Sequence, residues 1–449
     1  MRLLNITLSN FRRYEDARFQ FHPRFTVLTG ENGKGKTTVL DAVAVMLGTC
    51  FKNSKIRTGQ NVLRKTDARL VMHEIGGQVY FEDRHSVDGK VDYSHVYIEA
   101  EAVIHDANVV WQRFVGTKAF GVPGVNILKN ALNYETSLPL LLYYGAGRLW
   151  TVQQLIPTEK PGSRLDAYQN CLNPKSDQKA FEQWFKSLTY AELQKHQALP
   201  SLIAVKQAVL TCITDAEEFY FDTLQDQILI KLKQEGVVPF NNLSDGYRNI
   251  IAMVADIAYR AVRLNPHLEI EAAKKTEGII LIDEIDLHLH PKWQRKIVRD
   301  LQQAFPKLQF IASTHSPFIL QSLEPGEVID LNRIPLLSDT ENISPGIAAP
   351  GPADQYSNRS IEDIVQDVMG VDVPQRSERY QKMYEAAKNY YQVLQDAKDT
   401  PPDIQQRLKT QLDEFSAPFS DNVAYHAFLE MERMAAGLGK SEKKREEHN

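Results

Sequence analysis

The run Gly30–Thr38 reads GENGKGKTT and sets the architecture of this chain. It follows an apolar run at Phe25–Thr29 and precedes a helical pattern at Val39–Leu47. This order predicts a strand, a glycine-rich loop and a helix. The spacing G-x-x-x-x-G-K-T is typical of a loop whose backbone N–H groups wrap around a polyphosphate. The positive end of the following helix dipole would face the same anion.

Each polar residue of this loop has an expected role in binding ATP and Mg²⁺. Lys36 would reach the β and γ phosphates, and Thr37 would ligate Mg²⁺. Glycines allow the backbone to approach the phosphates closely. The other loop residues that we expect to bind the nucleotide are Asn32, Gly33, Gly35 and Thr38.

A second signal lies far downstream, where the apolar run Gly278–Ile282 leads into Asp283 and Glu284. A buried strand that ends in two carboxylates is typical of the part of a nucleotide site that binds Mg²⁺. Asp283 would hold the Mg²⁺ shell, and Glu284 would polarise the attacking water. The signal is weak alone, because buried strands often end in an acid, and becomes strong when paired with the loop.

Two further motifs extend the predicted site. Ser244 stands directly before a helix in the run Leu243–Arg248, and a helix start with free N–H groups is an anion site, although an ordinary N-cap explains it equally well. His315 lies beside hydroxyls at the end of a buried strand and could sense a γ-phosphate, although a single histidine there is more often structural. A second anion-binding helix start suggests a pocket built by two protomers.

Composition narrows the class of protein. The chain has 449 residues and a formal net charge of −5, so any contact with nucleic acid must come from a local basic patch. Its three cysteines, Cys50, Cys171 and Cys212, form no C-x-x-C pair, which favours a reducing cytosol. The sequence shows no secretory h-region and no apolar run long enough for a bilayer, so we expect a cytoplasmic protein without membrane contact.

The remaining sequence predicts an α/β protein with a mixed sheet, an antiparallel subdomain and a helical lobe. We expect three alternating runs, at 78–81, 95–102 and 109–114, to form one antiparallel sheet, and 138–144 and 308–313 to be buried strands. From about 163 to 230 the pattern is helical. Residues 335–358 are predicted to be a linker or ordered loop, and the chain from 360 onward to be helical.

The ordered set of motifs resembles ATP-binding-cassette ATPases of the RecF and SMC-like branch. Residues 30–37 resemble Walker A, 243–246 the signature motif, 278–284 Walker B, 286–291 the D-loop and His315 the switch histidine. Asn10–Arg13 resembles the family's Asn-Phe-Arg, which implies that Arg12 lies near the nucleotide.

This resemblance implies a head domain that forms a homodimer or higher oligomer. Each ATP would be held by Walker A of one protomer and by Ser244 and Gly246 of the other. One departure is that no clear glutamine stands at the usual Q-loop position. Tyr144, Arg148, Gln153 and Gln154 are the alternatives for coupling ATP to the second lobe.

Three longer runs, at 143–150, 243–249 and 284–291, are similar to the PtuA family, the ATPases of Septu and some retron anti-phage systems. The helical C-terminal part is similar too. The resemblance implies a separate HNH nuclease partner, PtuB, and in some versions a reverse transcriptase with its multicopy single-stranded DNA (msDNA). We therefore expect an ABC-type domain at 1–335 with a helical insertion at about 160–235, a linker at 336–358, and a helical partner-binding region at 359–449.

Several other features admit two interpretations. His288 and His290 alternate as two metal ligands would, but the D-loop assignment accounts for both. One helical face would be shared by four cations, and this face would be solvated, track a phosphate backbone or meet an acidic partner; the cations are Lys292, Arg295, Lys296 and Arg299. A basic run at 52–69 is a second candidate for contact with DNA or msDNA. No H-N-H or TOPRIM arrangement is present in the sequence, so nuclease chemistry would belong to a partner.

The sequence therefore predicts an ATPase that uses Mg-ATP to set the conformation of a defence complex. The first alternative is a RecF-like DNA-repair ATPase that is stimulated by DNA. The second alternative is a nucleotide-locked scaffold that barely hydrolyses ATP. An ATPase that turns over and a scaffold that only holds ATP need the same residues for binding the nucleotide, so the sequence leaves both open.

Overall fold

The computed structural model describes residues 1–51, 54, 56–59, 63–75, 78–83, 86–87, 90–91, 96–115, 127–128, 133–147, 163–174, 178–334, 346–348, 356–369, 378–396, 402–419, 427, 429–431 and 434. The chain divides into two compact units, Met1–Gly370 and Val371–Asn449.

All strands in the described part of the chain belong to the first unit. In chain order they are β1 Arg2–Phe11, β2 Tyr14–Gln20, β3 Phe25–Thr29, β4 Leu70–Ile75, β5 Gln78–Asp83, β6 Ser86–Val87, β7 Lys90–Val91, β8 Tyr97–Ile104, β9 Ala107–Phe114, β10 Leu140–Tyr144, β11 Ala216–Asp222, β12 Gln227–Leu232, β13 Gly236–Pro239, β14 Gly278–Ile282, β15 Leu308–Ser313, β16 Val328–Asp330 and β17 Gly346–Ala348.

The α-helices of the first unit are α1 Lys36–Gly48, α2 Gln178–Lys195, α3 Pro200–Cys212, α4 Asp245–Leu264, α5 Ala272–Lys275, α6 Pro291–Gln294, α7 Ile297–Ala304, α8 Pro317–Gln321 and α9 Ile361–Met369. Those of the second unit are α10 Glu378–Asp396 and α11 Pro402–Ser416. Short 3₁₀ helices lie at Thr49–Phe51, Lys65–Asp67, Arg164–Tyr168, Phe240–Asn242, Pro266–Glu271, Leu331–Arg333, Tyr356–Asn358 and Ala417–Phe419.

A five-stranded parallel sheet forms the centre of the first unit, in the order β10-β14-β15-β3-β16. Every residue of β3, β10, β14 and β15 is buried, as expected for apolar runs without alternation. Ile282 pairs with Ala312, and Ser313 pairs with Leu28. The carboxyl ends of β14, β15 and β3 therefore meet at one edge of the sheet.

A second five-stranded sheet, β17-β2-β1-β8-β9, is antiparallel except for the pairing of β17 with β2. Helix α1 contacts β8 of this sheet and β14 and β15 of the parallel sheet, so it lies between the two layers. The α/β fold class with a mixed architecture is thereby confirmed. The prediction of one antiparallel sheet was wrong for its first run, because β5 pairs with β4 in a separate hairpin.

The predicted helical stretch at 163–230 is only partly helical. Helices α2 and α3 confirm its middle, but β11 and β12 form an antiparallel sheet with β13. The physical reason is the alternation in β11, where Phe219 and Phe221 are buried while Glu218 is exposed. Buried and exposed side chains that alternate with a period of two residues favour a strand over a helix, and a turn then leads into β12.

The basic helix predicted after Pro291 is also interrupted. It is divided into α6 and α7, and its cations do not share one face. The Arg295 guanidinium lies 5.2 Å from the centre of the Phe318 ring, and Arg299 pairs with Asp300 at 3.7 Å. Lys292 and Lys296 instead line a cavity that is described below.

Other features agree with the sequence. The three cysteines are free and buried, and burial raises the pKa of Cys50 and of Cys171 to about 12. In the second unit, α10 ends at Asp396 and α11 begins at Pro402, which agrees with the helical pattern predicted from 360 onward. Among the described helices, none has both the length and the apolar character needed to cross a membrane.

Candidate functional site

The glycine-rich loop joins β3 to α1 at the shared edge of the parallel sheet. Gly30, Gly33 and Gly35 all have positive φ, at 138°, 78° and 91°. A Cβ atom on Gly35 would lie 2.6 Å from the Tyr14 hydroxyl oxygen, so glycine is required there by both backbone and space. The predicted loop geometry is therefore present.

Lys36 begins α1 and directs its side chain back over the loop. Its Nζ donates to the carbonyl oxygens of Gly30 at 2.7 Å and Glu31 at 3.0 Å. Burial lowers the pKa of Lys36, and the carboxylates of Asp283, Glu284 and Asp286 oppose that shift. The ammonium group therefore faces the same space as the downstream carboxylates.

Thr37 and Asp283 are in direct contact although 246 residues separate them, because the Thr37 hydroxyl donates to Asp283 Oδ2 at 2.9 Å. The contact follows from the sheet order, which places the end of β14 near the end of β3. A hydroxyl beside a carboxylate is an oxygen-only donor set, which suits Mg²⁺. Both predicted metal ligands are thus together.

Ser313 holds the two Walker B acids. Its hydroxyl donates to Asp283 Oδ1 and accepts from the Glu284 backbone N–H at 2.8 Å. Glu284 has a φ of 50°, in the left-handed region that few non-glycine residues adopt. The turn after β14 therefore places Glu284 immediately beyond the metal-side carboxylate.

His315 follows this hydroxyl cluster. The Thr314 hydroxyl donates to Asp286 Oδ1 at 2.5 Å, and the His315 backbone N–H donates to the same oxygen at 3.4 Å. Burial, and then the charge of Lys36, lower the pKa of His315, with the acids at 283, 284 and 286 opposing. Burial and the charge of Lys36 therefore both favour the neutral form of the His315 imidazole.

The adjacent residues Arg12 and Arg13 have different hydrogen-bond partners, which the sequence did not indicate. Arg12 donates to Asp41 at 2.7 Å and to Asp67 at 3.0 Å, so its guanidinium faces α1 and a 3₁₀ turn. Arg13 instead donates to the carbonyl of Gly33 in the loop. Arg13 Nε is buried and has no hydrogen-bond partner within the described ranges. This orphaned donor at the loop fits an anionic ligand such as a phosphate.

Ser244 and Gly246 lie at the start of α4 and pack against the D-loop segment of the same chain. A Cβ atom on Gly246 would come within 2.4 Å of the His288 carbonyl oxygen, and Asn249 donates to the Leu287 carbonyl at 3.3 Å. A cavity of about 410 Å³ opens here. Its lining includes Ser244, Gly246, His288, His290, Lys292, Trp293 and Lys296.

The structure thus assembles one group of predicted residues and separates another. Lys36, Thr37, Asp283, Glu284 and His315 share the sheet edge, together with the loop residues Asn32, Gly33, Gly35 and Thr38. Ser244 and Gly246 instead line the cavity beside His288 and Lys292. Arg13 and Ser313 were missed.

Other residues that the sequence singled out are not part of this group at the sheet edge. Of the Q-loop alternatives, Arg148, Gln153 and Gln154 lie outside the described residues, as do Lys52 and Lys55 of the basic run. In the described part of the chain, no group of three or more His, Cys, Asp or Glu residues forms a metal site. His290 Nδ1 instead accepts from the Lys292 N–H at 3.2 Å as the N-cap of α6.

Comparisons with known proteins agree with this geometry. Residues 5–218 match a family model described as "AAA domain", and residues 160–321 match one described as "AAA domain, putative AbiEii toxin, Type IV TA system". The chain is 26% identical over 399 residues to the Retron Vc95 probable ATPase of Vibrio cholerae serotype O1 biovar El Tor, covering 76% of each protein.

Two further similarities cover a smaller share of the matched protein or have a lower sequence identity. The chain is 27% identical over 330 residues to the Septu protein PtuA of Bacillus mycoides (strain KBAB4), covering 72% of this chain and 39% of that protein. The SMC head domain from Thermotoga maritima superposes with a TM-score of 0.40 and 14% identity, covering 73% of this chain and 94% of that one. The chain is therefore similar in sequence to the retron-associated probable ATPases and to the Septu PtuA proteins, and parts of it match models of AAA domains.

Proposed function

We propose that the chain is the Mg²⁺-dependent ATPase subunit of an anti-phage defence complex. The observation that carries this proposal is the 2.9 Å contact between Thr37 and Asp283, which brings the loop and the metal-side carboxylate into one site. The names of the relatives support the defence role, because they belong to retron and Septu proteins.

Each residue at the sheet edge has a task in this proposal. Lys36 and Arg13 bind the phosphates, while Thr37 and Asp283 hold Mg²⁺. Bound Mg²⁺ supplies charge neutralisation at the β and γ phosphates. Glu284 orients the water and accepts its proton, and neutral His315 donates a hydrogen bond to the transferred phosphoryl group. Hydrolysis would then proceed in line with the ADP leaving group.

The second half of each site comes from another copy of the chain. Ser244 and Gly246 lie at the N-terminus of a 20-residue helix, whose free N–H groups and dipole attract an anion. Their nearest contacts are with the D-loop, and the cavity beside them carries lysines and histidines. We therefore assign them to the nucleotide of the facing protomer in a homodimer or larger assembly.

In this proposal the ATPase controls the activity of a partner protein. The chain would work in the cytoplasm with an HNH nuclease of the PtuB type and, in retron versions, with a reverse transcriptase and msDNA. The helical region at 359–449 is the proposed partner-binding part, and α9, α10 and α11 supply its described helices. The basic residues near 52–69 are the proposed contact with DNA or msDNA.

Hydrolysis and binding by three versions of the full chain test the catalytic part. Glu284→Gln should retain ATP but lose turnover by about 10²- to 10⁴-fold, because the water is no longer activated. Lys36→Ala should lose nucleotide binding. Glu218→Gln is the matched control, since this exposed residue lies on β11 and pairs with Lys231 at 3.6 Å. If both site variants hydrolysed ATP like the wild type, the site assignment would be wrong.

Co-purification from the native operon, with nuclease treatment omitted, tests the partner assignment. An HNH protein, with or without a small DNA–RNA hybrid, is the expected result. A lone dimer whose ATPase is stimulated by added DNA would support the RecF-like alternative instead. ATP that survives purification with negligible phosphate release would identify the chain as a nucleotide-locked scaffold.

A further inference from the structure

Ser313, the last residue of β15, is fully buried at the centre of the site, with 1% of its surface exposed. It binds three successive residues of the neighbouring chain segment. Its hydroxyl contacts Asp283 and Glu284, and its carbonyl oxygen accepts from the Ile285 N–H at 2.9 Å. One residue thus holds the entire turn that follows β14.

The two hydroxyl hydrogen bonds run in opposite directions. Ser313 Oγ donates its only proton to Asp283 Oδ1, which leaves its lone pairs for the Glu284 N–H at 2.8 Å. The other carboxylate oxygen, Asp283 Oδ2, accepts from Thr37. The Asp283 carboxylate is consequently fixed from both sides, and its plane is set by Ser313 as much as by the loop.

The same hydroxyl supports the unusual backbone of Glu284. A non-glycine residue at a φ of 50° needs its surroundings to hold it there. Asp283 is 6% exposed, so water cannot readily replace a lost partner on its buried oxygen. Removal of the hydroxyl would loosen both acids at once.

We propose that Ser313 is a positioning residue that aligns the Mg²⁺ carboxylate of Asp283 with the water-activating carboxylate of Glu284. This inference rests on the proposed ATPase function and deepens it. Groups that orient a metal ligand typically change metal affinity or activity by about 10- to 100-fold when they are removed. The effect of Ser313 on Mg²⁺ affinity acts through Asp283, so it should disappear when Asp283 is itself replaced, whereas its hydrogen bond to the Glu284 N–H should still affect kcat.

Binding measurements on the full chain separate positioning from folding. A fluorescent ATP analogue is titrated with and without Mg²⁺, and kcat and thermal stability are recorded for the same samples. Ser313→Ala should raise the half-saturating Mg²⁺ concentration and lower kcat, each by about 10-fold or more. Its affinity for the analogue without Mg²⁺ should match that of the wild type.

A control variant and a double variant sharpen the test. Thr189→Val removes another buried hydroxyl, which donates to the Phe185 carbonyl at 2.9 Å on α2, and should change neither Mg²⁺ dependence nor kcat. Asp283→Asn should weaken Mg²⁺ binding, and adding Ser313→Ala to it should weaken Mg²⁺ binding no further, because effects that share one route are not additive. Ser313→Cys preserves the shape without a strong hydroxyl donor, and it replaces the alanine variant if that variant does not fold.

The outcomes distinguish this inference from the proposed function. If Asp283→Asn loses its Mg²⁺ response while Ser313→Ala and Ser313→Cys retain the wild-type response and kcat, Ser313 is structural and the inference fails alone. Additive losses of Mg²⁺ affinity in the double variant would also overturn it. If the wild type itself neither binds the analogue nor responds to Mg²⁺, the ATPase proposal and the inference fall together.

Discussion

The hydroxyl of Tyr144 donates to Asp256 Oδ2 at 2.7 Å, and both residues are buried. Asp256 also pairs with Arg260 at 2.9 Å on the same helix, α4. The carbonyl of Tyr144 accepts from the Asp283 N–H at 2.7 Å. Tyr144 therefore joins the strand that carries Asp283 to the helix that begins after Ser244, and the two proposed halves of the nucleotide site are linked within one chain.

Tyr144→Phe should destabilise the chain, because it removes one hydrogen bond to a buried charged acceptor. We expect a loss of about 1.5–3 kcal/mol in the free energy of unfolding, measured by urea denaturation. Tyr190→Phe is the control, since Tyr190 is 44% exposed and should lose less than about 0.5 kcal/mol. Equal stability of the two variants would show that the buried hydrogen bond contributes nothing.

Gly246→Ala should displace the D-loop, because the added Cβ would meet the backbone carbonyl of His288 at 2.4 Å. Overpacking of this kind costs about 1–3 kcal/mol, and we expect a lower melting temperature together with reduced ATP turnover. The matched control is Gly147→Ala, where an added Cβ meets nothing within 4 Å. A Gly246→Ala protein with wild-type stability and turnover would contradict the close packing.

Arg12→Ala and Arg13→Ala should have different effects although the residues are adjacent. Arg12 binds Asp41 and Asp67, so its loss should lower the free energy of unfolding by about 1–3 kcal/mol. Arg13 contacts the loop, and its loss should weaken ATP binding by about 10-fold, since 1.4 kcal/mol corresponds to that factor. Denaturation and nucleotide titration of both proteins measure the two effects, and a reversed pattern would refute the division of roles.

His315 should make stability dependent on pH. Its pKa is lowered in the folded chain, chiefly by burial and by Lys36, so the unfolded chain binds the proton more readily. Stability from this group is therefore present above the unfolded pKa of about 6.5 and is lost as the pH falls toward the folded pKa. The stability difference between wild type and His315→Gln should shrink from pH 7.5 to pH 5.5. A constant difference across these two pH values would contradict the lowered pKa.

The sequence predicted the local parts of the site well, because a glycine loop, an apolar strand and a terminal acid each have a short-range signature. That Thr37 and Asp283 belong to one Mg²⁺ site was predicted by pairing the glycine loop with the acid-ended strand, and the sheet order accounts for their contact. Ser313 could not be predicted, because its role depends on the register between β14 and β15.

Backbone conformation explains the missed arginine. Arg12 has a φ of 49°, and this left-handed residue redirects the chain, so that Arg13 rather than Arg12 faces the loop. The periodicity of apolar residues in a sequence does not indicate where the backbone adopts a left-handed conformation. The strands β11 and β12, which were predicted to be helical up to about residue 230, do have a local signature, because buried and exposed residues alternate in β11.

The left-handed backbone at Glu284 limits how a chain of this kind could turn into a pseudoenzyme. Asn, Asp and Gly accept this conformation with little strain, whereas β-branched residues do not. A lineage that abandoned hydrolysis would therefore replace Glu284 with an amide or with glycine, and would keep the turn and its bond to Ser313 intact. Under the proposed function, such a copy would keep the contact between Thr37 and Asp283 and would therefore still bind ATP without hydrolysing it.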